Sequence, residues 1–296
     1  GDAIVALTNS GTTTFDLSDT AANLAAAGAT GNAATDVTAT DAATVAQGDA
    51  IVALTNSGTT TFDLSDTADA IRDAAAGTIS AAGAVALSAP ESVTYDVSDG
   101  ATLLANLTDT TGLTLNISDT AANVVSGLDD PDPNVVSAKA ALLSTATQVT
   151  LNDSATVAQL NAINANNGTG SITATVSDGT LSTLKTLTGT HAYTITVTDA
   201  GTLGSPKAVA DLLLVDAATS VAVNADAVAH LVGSGADLTT LAAAYDSGTI
   251  TDANSNETLI GVNVSIAELK TGVTTNEYGF YSITLPKGNY TLQIAY

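Results

Sequence analysis

A duplicated segment is the feature that most limits what this chain can fold into. Residues 1–21 recur without change at 48–68, at an offset of 47 residues. A repeated sequence builds the same local unit again, and a unit this small buries its apolar face only against a neighbouring unit. The duplication therefore predicts an array of units that depend on one another.

A shorter unit runs through most of the chain and consists of an alternating segment that ends in Asp. Apolar residues such as Phe15 and Leu17 alternate with polar ones, which is the pattern of a half-buried strand. Successive terminal aspartates are between 20 and 34 residues apart, a spacing typical of solenoid coils with loop insertions. These aspartates are Asp19, Asp41, Asp66, Asp99, Asp119, Asp153, Asp178, Asp199 and Asp226.

The residues after each Asp follow a different pattern. Segments such as 19–26 and 119–125 are rich in Ala, Leu and Val, which favours a short helix. The Asp stands where a helix N-cap is expected, so its carboxylate would accept hydrogen bonds from the first turn. One unit is therefore predicted to run from strand to Asp corner, helical turn and loop.

These patterns predict a mainly β fold. We expect a parallel β-solenoid over residues 1–247, with a short helical turn in each coil, followed by part of a small β-sandwich at 248–296. Parallel pairing fits because most strands lack a tight hairpin between them. The acidic, Pro-containing stretch 128–134 is interpreted as a loop insertion.

The charge balance excludes several partners. Six basic residues stand against 30 acidic ones, giving a net charge of −24. Binding to nucleic acid or to anionic lipid needs clusters of Lys and Arg, which this sequence lacks. There is no Cys, which excludes thiolate catalysis and Cys-ligated zinc, and no apolar run reaches membrane-spanning length. We expect neither nucleic-acid binding nor membrane insertion.

The C-terminal segment differs in composition and carries spaced motifs of its own. They are Gly261-Val262-Asn263-Val264, then the run from Thr274 to Tyr281, then the run from Leu285 to Leu292. In this order they resemble the carboxypeptidase regulatory-like family, a small transthyretin-like β-sandwich. The resemblance covers residues 248–296 and implies an incomplete, non-catalytic accessory module on an extracellular protein. The chain, which also lacks Met, is expected to be an excerpt of a longer one.

Residues 1–247 are similar in composition and motif to the Thr/Ala/Asp-rich repeats of large bacterial surface proteins, including adhesins and surface-layer proteins. This resemblance implies an extracellular or cell-surface location.

Acidic residues are the candidates for a metal site, and calcium is the one candidate cofactor. In parallel coils, equivalent aspartates would lie close enough to repel each other unless helix N–H groups or cations neutralise them. Capping is the favoured interpretation, and bridging Ca²⁺ is the alternative. The candidate ligands are Asp19, Asp66, Asp99, Asp119, Asp130 and Asp132.

The predicted function is structural or adhesive and not enzymatic. The two histidines, His191 and His230, are interpreted as structural or merely exposed, and no Gly-x-Ser-x-Gly motif surrounds a serine. We expect a surface protein that forms a rod, filament or layer by end-to-end or lateral self-association. Cell-surface glycans and other surface proteins are further candidate partners. The alternatives are a calcium-stabilised adhesin and, less favoured, a solenoid enzyme acting on polysaccharide.

Overall fold

A computed structural model gives the fold of residues 13–202, 205–237, 240, 248–249, 258–266, 270–281 and 292–295. The chain divides into two compact units, residues 1–154 with 162–174 and residues 155–161 with 175–296. The first copy of the duplicated segment is described from residue 13 onward, so its first twelve residues lie outside the described part. The motif from Leu285 to Leu292 also lies outside it, apart from the backbone of its last residue.

Strands and helices alternate along most of the described residues. The strands are β1 Leu17–Asp19, β2 Val37–Ala39, β3 Thr60–Thr61, β4 Leu64–Asp66, β5 Val85–Leu87, β6 Glu91–Tyr95, β7 Leu113–Asp119, β8 Ala146–Ala155, β9 Ser171–Val176, β10 Ala192–Thr194, β11 Lys207–Ala208, β12 Leu231–Val232, β13 Gly248–Thr249, β14 Asn263–Ile266, β15 Thr271–Thr274, β16 Phe280–Tyr281 and β17 Leu292–Ala295. The helices are α1 Ala21–Ala25, α2 Gly28–Ala33, α3 Val45–Val52, α4 Ala68–Asp73, α5 Ala76–Ala81, α6 Val97–Asn106, α7 Ala121–Val125, α8 Pro133–Thr145, α9 Val157–Asn166, α10 Leu181–Leu184 and α11 Val209–Ala217.

Neighbouring strands of the repeat region pair in chain order and in parallel. The sheet β1-β2-β3 aligns Leu17 with Val37 and Val37 with Thr60. Strands β4 and β5 form a second small sheet, and β6, β7 and β8 pair in that order in the first unit. Strands β11 and β12 are also parallel. The predicted parallel pairing is therefore present, but in several short sheets.

Helices in the first unit cover the apolar faces of these strands and pack on one another, α1 on α3, α3 on α5, α4 on α6 and α6 on α8. Four of these helices each place one large aliphatic side chain in the core: Leu24, Ile51, Ile71 and Leu103 are fully buried. Burying such a side chain stabilises the fold by about 1.5–3 kcal/mol. Because most side chains of these four helices are small, the layers are thin, and one large aliphatic residue from each helix fills the interior between helix and strand.

Two glycines allow helices to lie directly against strands. A Cβ at Gly48 of α3 would lie 2.8 Å from Leu64 Cδ2, and one at Gly100 of α6 would lie 2.7 Å from Ile117 Cδ1. Both distances are too short for a methyl group in a close-packed interior. A side chain at either position would therefore require the terminal methyl group of Leu64 or Ile117 to shift.

The prediction of a mainly β solenoid is wrong. The residues that the structure describes form a mixed α/β fold with several small parallel and antiparallel sheets. The physical reason is that helices of 4 to 10 residues follow several of the Asp corners and one of 13 residues follows Asp132, whereas many of the paired strands have only two or three residues. Helix-favouring Ala and Leu extend the predicted turns into true helices that share the core with the sheets.

The C-terminal segment consists of antiparallel strands. Strand β14 pairs with β15 on one side and β17 on the other, and β13 pairs with β16. Val262, Val264 and Ile266 are fully buried. The predicted boundary at residue 247/248 falls beside residues outside the described part and stays a prediction.

Candidate functional site

The predicted corner aspartates Asp19, Asp66 and Asp119 end strands β1, β4 and β7, but none is the N-cap of the helix that follows. The N-caps are the next residues, the threonines of positions 20, 67 and 120, each of which accepts an N–H from the third helical residue. Each corner Asp accepts the N–H of that threonine through Oδ1, at 2.7–2.8 Å. The predicted capping role therefore belongs to the threonine.

The carboxylates make a second kind of contact, with the helix of the preceding repeat. Asp66 Oδ2 accepts the N–H of Val45, the first residue of α3, at 2.9 Å, and Asp119 Oδ2 accepts that of Val97, the first residue of α6, at 3.1 Å. Helix start and carboxylate are 21 and 22 residues apart along the chain in these two cases. Each such bond joins two consecutive repeats.

Among the described residues, seven helices are bonded in this way. We call these bonds the cross-repeat bonds. They run from Ala21 to Asp41 (2.6 Å), Val45 to Asp66 (2.9 Å), Ala68 to Glu91 (2.8 Å), Val97 to Asp119 (3.1 Å), Ala121 to Asp153 (2.7 Å), Val157 to Asp178 (2.7 Å) and Leu181 to Asp199 (2.9 Å). The first five lie in the first unit and the last two in the second.

The cross-repeat bonds satisfy helix N–H groups and also offset the charge of the carboxylates. The first four N–H groups of a helix lack partners within the helix, and its N-terminus carries partial positive charge. A carboxylate from the next repeat satisfies one of these N–H groups with a charge-assisted hydrogen bond, and the dipole offsets part of its charge. A strongly acidic chain thereby uses its negative charge to join neighbouring repeats.

A second set of carboxylates bonds in the opposite direction, from the start of one strand to the next repeat. Asp16 Oδ1 accepts the N–H of Asp36 at 3.2 Å, Asp36 Oδ1 that of Thr59 at 2.7 Å, and Asp63 Oδ1 that of Ala84 at 2.8 Å. The bonds from the backbone and side chain of Thr59 lower the pKa of Asp36. Each of these repeats is therefore bonded to its neighbour at both ends of its strand.

Asp99 is not a corner residue. It lies in the first turn of α6, whose N-cap is Asp96, and its N–H donates to Asp96 Oδ1 at 2.8 Å. Sequence reasoning placed the strand over residues 92–99, whereas β6 ends at Tyr95. Glu91 takes the cross-repeat role instead, a residue that the Asp pattern missed.

Asp130 and Asp132 precede a helix rather than lying in an open loop insertion. Asp132 is the N-cap of α8 and accepts the N–H of Asn134 at 2.9 Å, while Pro133 occupies the first helical position. Asp130 Oδ1 accepts the N–H of Asp132 at 2.8 Å. This is the arrangement in which Asp and Pro commonly start a helix.

No group of three or more His, Cys, Asp or Glu side chains that could hold a metal ion occurs in the described residues. The carboxylate oxygens of Asp66 and Asp119 accept backbone N–H groups, and Asp119 also accepts the Asn123 amide at 2.8 Å. Calcium binding at the six predicted aspartates stays a prediction.

Hydrogen bonds also set the ionisation of Asp119. Burial acts to raise the pKa of Asp119, but bonds from the Asn123 side chain and from the N–H groups of Val97 and Thr120 outweigh it. The pKa of Asp119 therefore lies below its ordinary value, and the carboxylate is the form that the fold stabilises.

Arg72, the only arginine in the sequence, joins several acidic side chains of the first unit. Its guanidinium lies 2.8 Å from Asp69 and from Asp73, 3.7 Å from Asp99, and 4.8 Å from the centre of the Tyr95 ring. The Tyr95 hydroxyl donates to Asp69 at 2.7 Å. The Arg72 cation contacts carboxylates and the face of the Tyr95 ring, and it thereby joins α4, β6 and α6.

The second unit contains His191, whose ring makes an edge contact with that of Tyr193 at 5.4 Å between centroids. Burial lowers the pKa of His191 and raises that of Tyr193. Tyr193 is fully buried, and His191 is partly buried beside it.

A tight turn organises the C-terminal segment. Asn276 Oδ1 accepts the N–H groups of Tyr278 at 2.9 Å and Phe280 at 3.1 Å, and Gly279 has a φ of 68°. The turn explains why the motif has Asn at position 276 and Gly at position 279.

In the same segment, an open groove of about 580 Å³ lies along β14 and β15.

Comparison with known proteins identifies this C-terminal segment. Residues 247–296 match the CarboxypepD_reg-like domain, which confirms the resemblance predicted for 248–296. No curated protein and no solved structure matches the chain. Among the described residues, no helix has the length and apolar character needed to cross a membrane.

Proposed function

We propose that the chain is an extracellular structural segment of a surface protein, in which the repeats form a cohesive array and self-association extends it into a fibre or layer. The observation that carries the proposal is the set of seven cross-repeat bonds. A repeat whose helix start depends on a carboxylate from the next repeat is stable only as a member of a series.

Two further observations support an extracellular, structural role. The C-terminal segment matches a domain type that serves as an accessory fold on secreted and outer-membrane proteins, as inferred from the sequence resemblance. The chain carries a net charge of −24, and some of its carboxylates form hydrogen bonds between consecutive repeats. The same acidic residues therefore favour solubility and join the repeats. Cell-surface glycans and other surface proteins are the partners that such a segment would meet.

Localisation on intact cells tests the proposal. Antibodies raised against the purified chain should label intact cells of the source organism, and protease added outside should remove the signal without lysis. A cytoplasmic protein released by the same protocol serves as the lysis control. Labelling that appears only after the cells are broken would refute the extracellular role.

A further inference from the structure

Two kinds of repeat alternate along the first unit. We call A repeats those in which a strand ending in Ser-Asp is followed by two helices, and B repeats those that have one helix. The A repeats contain α1 and α2, α4 and α5, and α7 and α8. The B repeats contain α3 and α6, which have 8 and 10 residues.

The strands of the first unit alternate in the same way. Strands β1, β3, β4 and β7 belong to A repeats, and β2, β5, β6 and β8 belong to B repeats. Among the described residues of this unit, the parallel pairs β1-β2, β2-β3, β4-β5, β6-β7 and β7-β8 each join an A strand to a B strand.

The duplicated segment shows how an A repeat bonds the B repeat that follows it. Three backbone groups of each copy bond the next strand. These bonds run from Thr35 to Phe15 (2.7 Å) and from Gly83 to Phe62 (2.9 Å), from Leu17 to Asp36 (2.8 Å) and from Leu64 to Ala84 (2.7 Å), and from Thr40 to Asp19 (2.9 Å) and from Ser88 to Asp66 (2.9 Å). The carboxylate before each strand and the cross-repeat bond of each helix match in the same way. Because residues 35–41 and 83–91 differ in sequence while the bonds agree, the A surface recognises a backbone and one carboxylate rather than one particular sequence.

The B helices contact the next A repeat through a different surface. Gly48 is the fourth residue of α3 and lies against Leu64, and Gly100 is the fourth residue of α6 and lies against Ile117. The first residue of each of these helices forms its cross-repeat bond with the Asp that ends the same strand. The fourth residues of the A helices α1, α4 and α7 are instead the buried side chains Leu24, Ile71 and Val124.

Helix width explains why two kinds of repeat occur. Neighbouring parallel strands lie about 4.8 Å apart, whereas packed helices need about 8–10 Å between their axes. Helices of the same kind therefore fit in every second repeat, about 9.6 Å apart, and not in neighbouring repeats. The helix contacts agree, since α1 packs on α3 and α4 on α6, and α3 packs on α5 and α6 on α8. Each kind of contact thus recurs after two repeats.

A further B helix starts in the same way in the second unit. Residues 43–47 and 155–159 have the same sequence, Ala-Thr-Val-Ala-Gln. In each, the Thr N–H donates to the Oε1 of the Gln at 2.9 Å. The Val between them bonds an Asp 21 residues later in both cases. The B pattern therefore recurs outside the duplicated segment.

We propose that each repeat accepts only a repeat of the other kind as its neighbour, so that the array gains or loses length in pairs of repeats. The 47-residue offset of the duplicated segment corresponds to one such pair, an A repeat and a B repeat. Because the A surface bonds two different B sequences, a whole pair can be added without a change at the junction. The consequence, an extracellular segment whose reach is set by the number of pairs, rests on the proposed function, whereas the alternation itself does not.

Two insertions into the intact chain test this rule. The first places a further copy of residues 21–67 between Thr67 and Ala68, which keeps A and B repeats in alternation. The matched control places a copy of residues 45–67 at the same junction, which brings two A strands and two α3 helices into neighbouring repeats. Both inserts consist of natural sequence, and both keep the 21-residue spacing of the cross-repeat bond from α3.

Hydrogen exchange followed by mass spectrometry reports on the inserts, because their peptides have the same sequences as those of the parent repeats. An unfolded insert therefore gives a second population of the peptides from residues 45–66. We expect one slowly exchanging population in the two-repeat insertion, and in the one-repeat insertion a second population that exchanges roughly tenfold faster. The melting temperature should be at least that of wild type in the two-repeat insertion and lower in the one-repeat insertion, since stability adds over the interfaces between repeats.

Either insertion can overturn the rule. A one-repeat insertion with a single slow population and the melting temperature of wild type would refute alternation, and so would a fast-exchanging population in the two-repeat insertion. Antibody labelling of intact cells tests the extracellular role separately, and neither insertion changes its outcome.

Discussion

Replacing Asp66 by Asn isolates the energy of one cross-repeat bond, because the duplicated segment contains a matched control. Asp66 and Asp19 have the same neighbours in sequence, and both accept the N–H of the next threonine at 2.8 Å. Only Asp66 also accepts a helix N–H from the preceding repeat, that of Val45 at 2.9 Å, among the described residues. Asp19 also accepts the Asn23 side-chain amide at 2.7 Å, where the second copy has Ala70. The two substitutions are therefore compared in an Asn23→Ala background, in which the difference between Asp66→Asn and Asp19→Asn is the contribution of the Val45 bond.

The magnitude follows from the geometry. An amide has one accepting oxygen, so the side chain introduced by Asp66→Asn would satisfy either Thr67 or Val45 and turn an NH₂ group toward the other. Hydrogen bonds to charged groups contribute about 1.5–3 kcal/mol, which includes part of the favourable interaction of a carboxylate with a helix N-terminus. We expect Asp66→Asn to lower the free energy of unfolding by about 1.5–3 kcal/mol, and Asp19→Asn to lower it less.

Urea unfolding followed by circular dichroism measures the free energy, and amide hydrogen exchange locates the effect. The Val45 N–H should exchange at least tenfold faster in Asp66→Asn, with no such change in Asp19→Asn. Equal destabilisation by the two substitutions, or an unchanged exchange rate at Val45, would refute the assignment of stabilising energy to this bond.

Three further predictions concern packing, pH and metal. Gly100→Ala should destabilise the fold by about 1–3 kcal/mol in urea unfolding, because its Cβ would overlap Ile117; Gly77→Ala in α5, where nothing lies within 4 Å, should be neutral or stabilising. Folding lowers the pKa of Asp119, so its contribution is fully present above the unfolded value of 3.8 and is lost as the pH falls through the lower folded value. Asp119→Asn should reduce the loss of stability in acid titrations, and an identical acid profile would contradict this. Because backbone N–H groups neutralise the corner carboxylates, the melting temperature in EDTA should equal that in calcium; a shift of many degrees would favour the calcium alternative.

The parallel pairing of neighbouring strands was predicted correctly. The segment 113–119 is a strand over its whole length, because alternating Leu, Leu and Ile strongly define its buried face. The duplication identified the unit, and the C-terminal motifs identified a domain type. These features depend on local pattern, which the sequence displays directly.

The balance between helix and strand was predicted wrongly because it depends on packing between repeats. The region around Asp130 reads as an acidic loop, yet Asp132 and Pro133 together form a helix start that composition concealed. Asp99 ends an alternating pattern, but Asp96 caps a helix first and ends the strand. In both cases a capping residue decided where the helix began.

The local sequence pattern also could not identify which helix each carboxylate bonds in the cross-repeat bonds. A carboxylate that follows a strand faces two helix starts, its own and that of the preceding repeat, and sequence alone favours the nearer one. The available signal was spacing, since each bonded carboxylate lies 18 to 32 residues after the first residue of its helix. Glu91 fits this spacing at 23 residues although it does not fit the Asp motif.

A scalar coupling across the hydrogen bond detects a cross-repeat bond itself. In isotope-labelled protein, we expect a measurable coupling between the Val45 amide nitrogen and the Asp66 carboxylate carbon, and between the same atoms of Val97 and Asp119. Couplings from the corner carboxylates to the following threonines alone, with none to the preceding helices, would show that carboxylates do not join consecutive repeats.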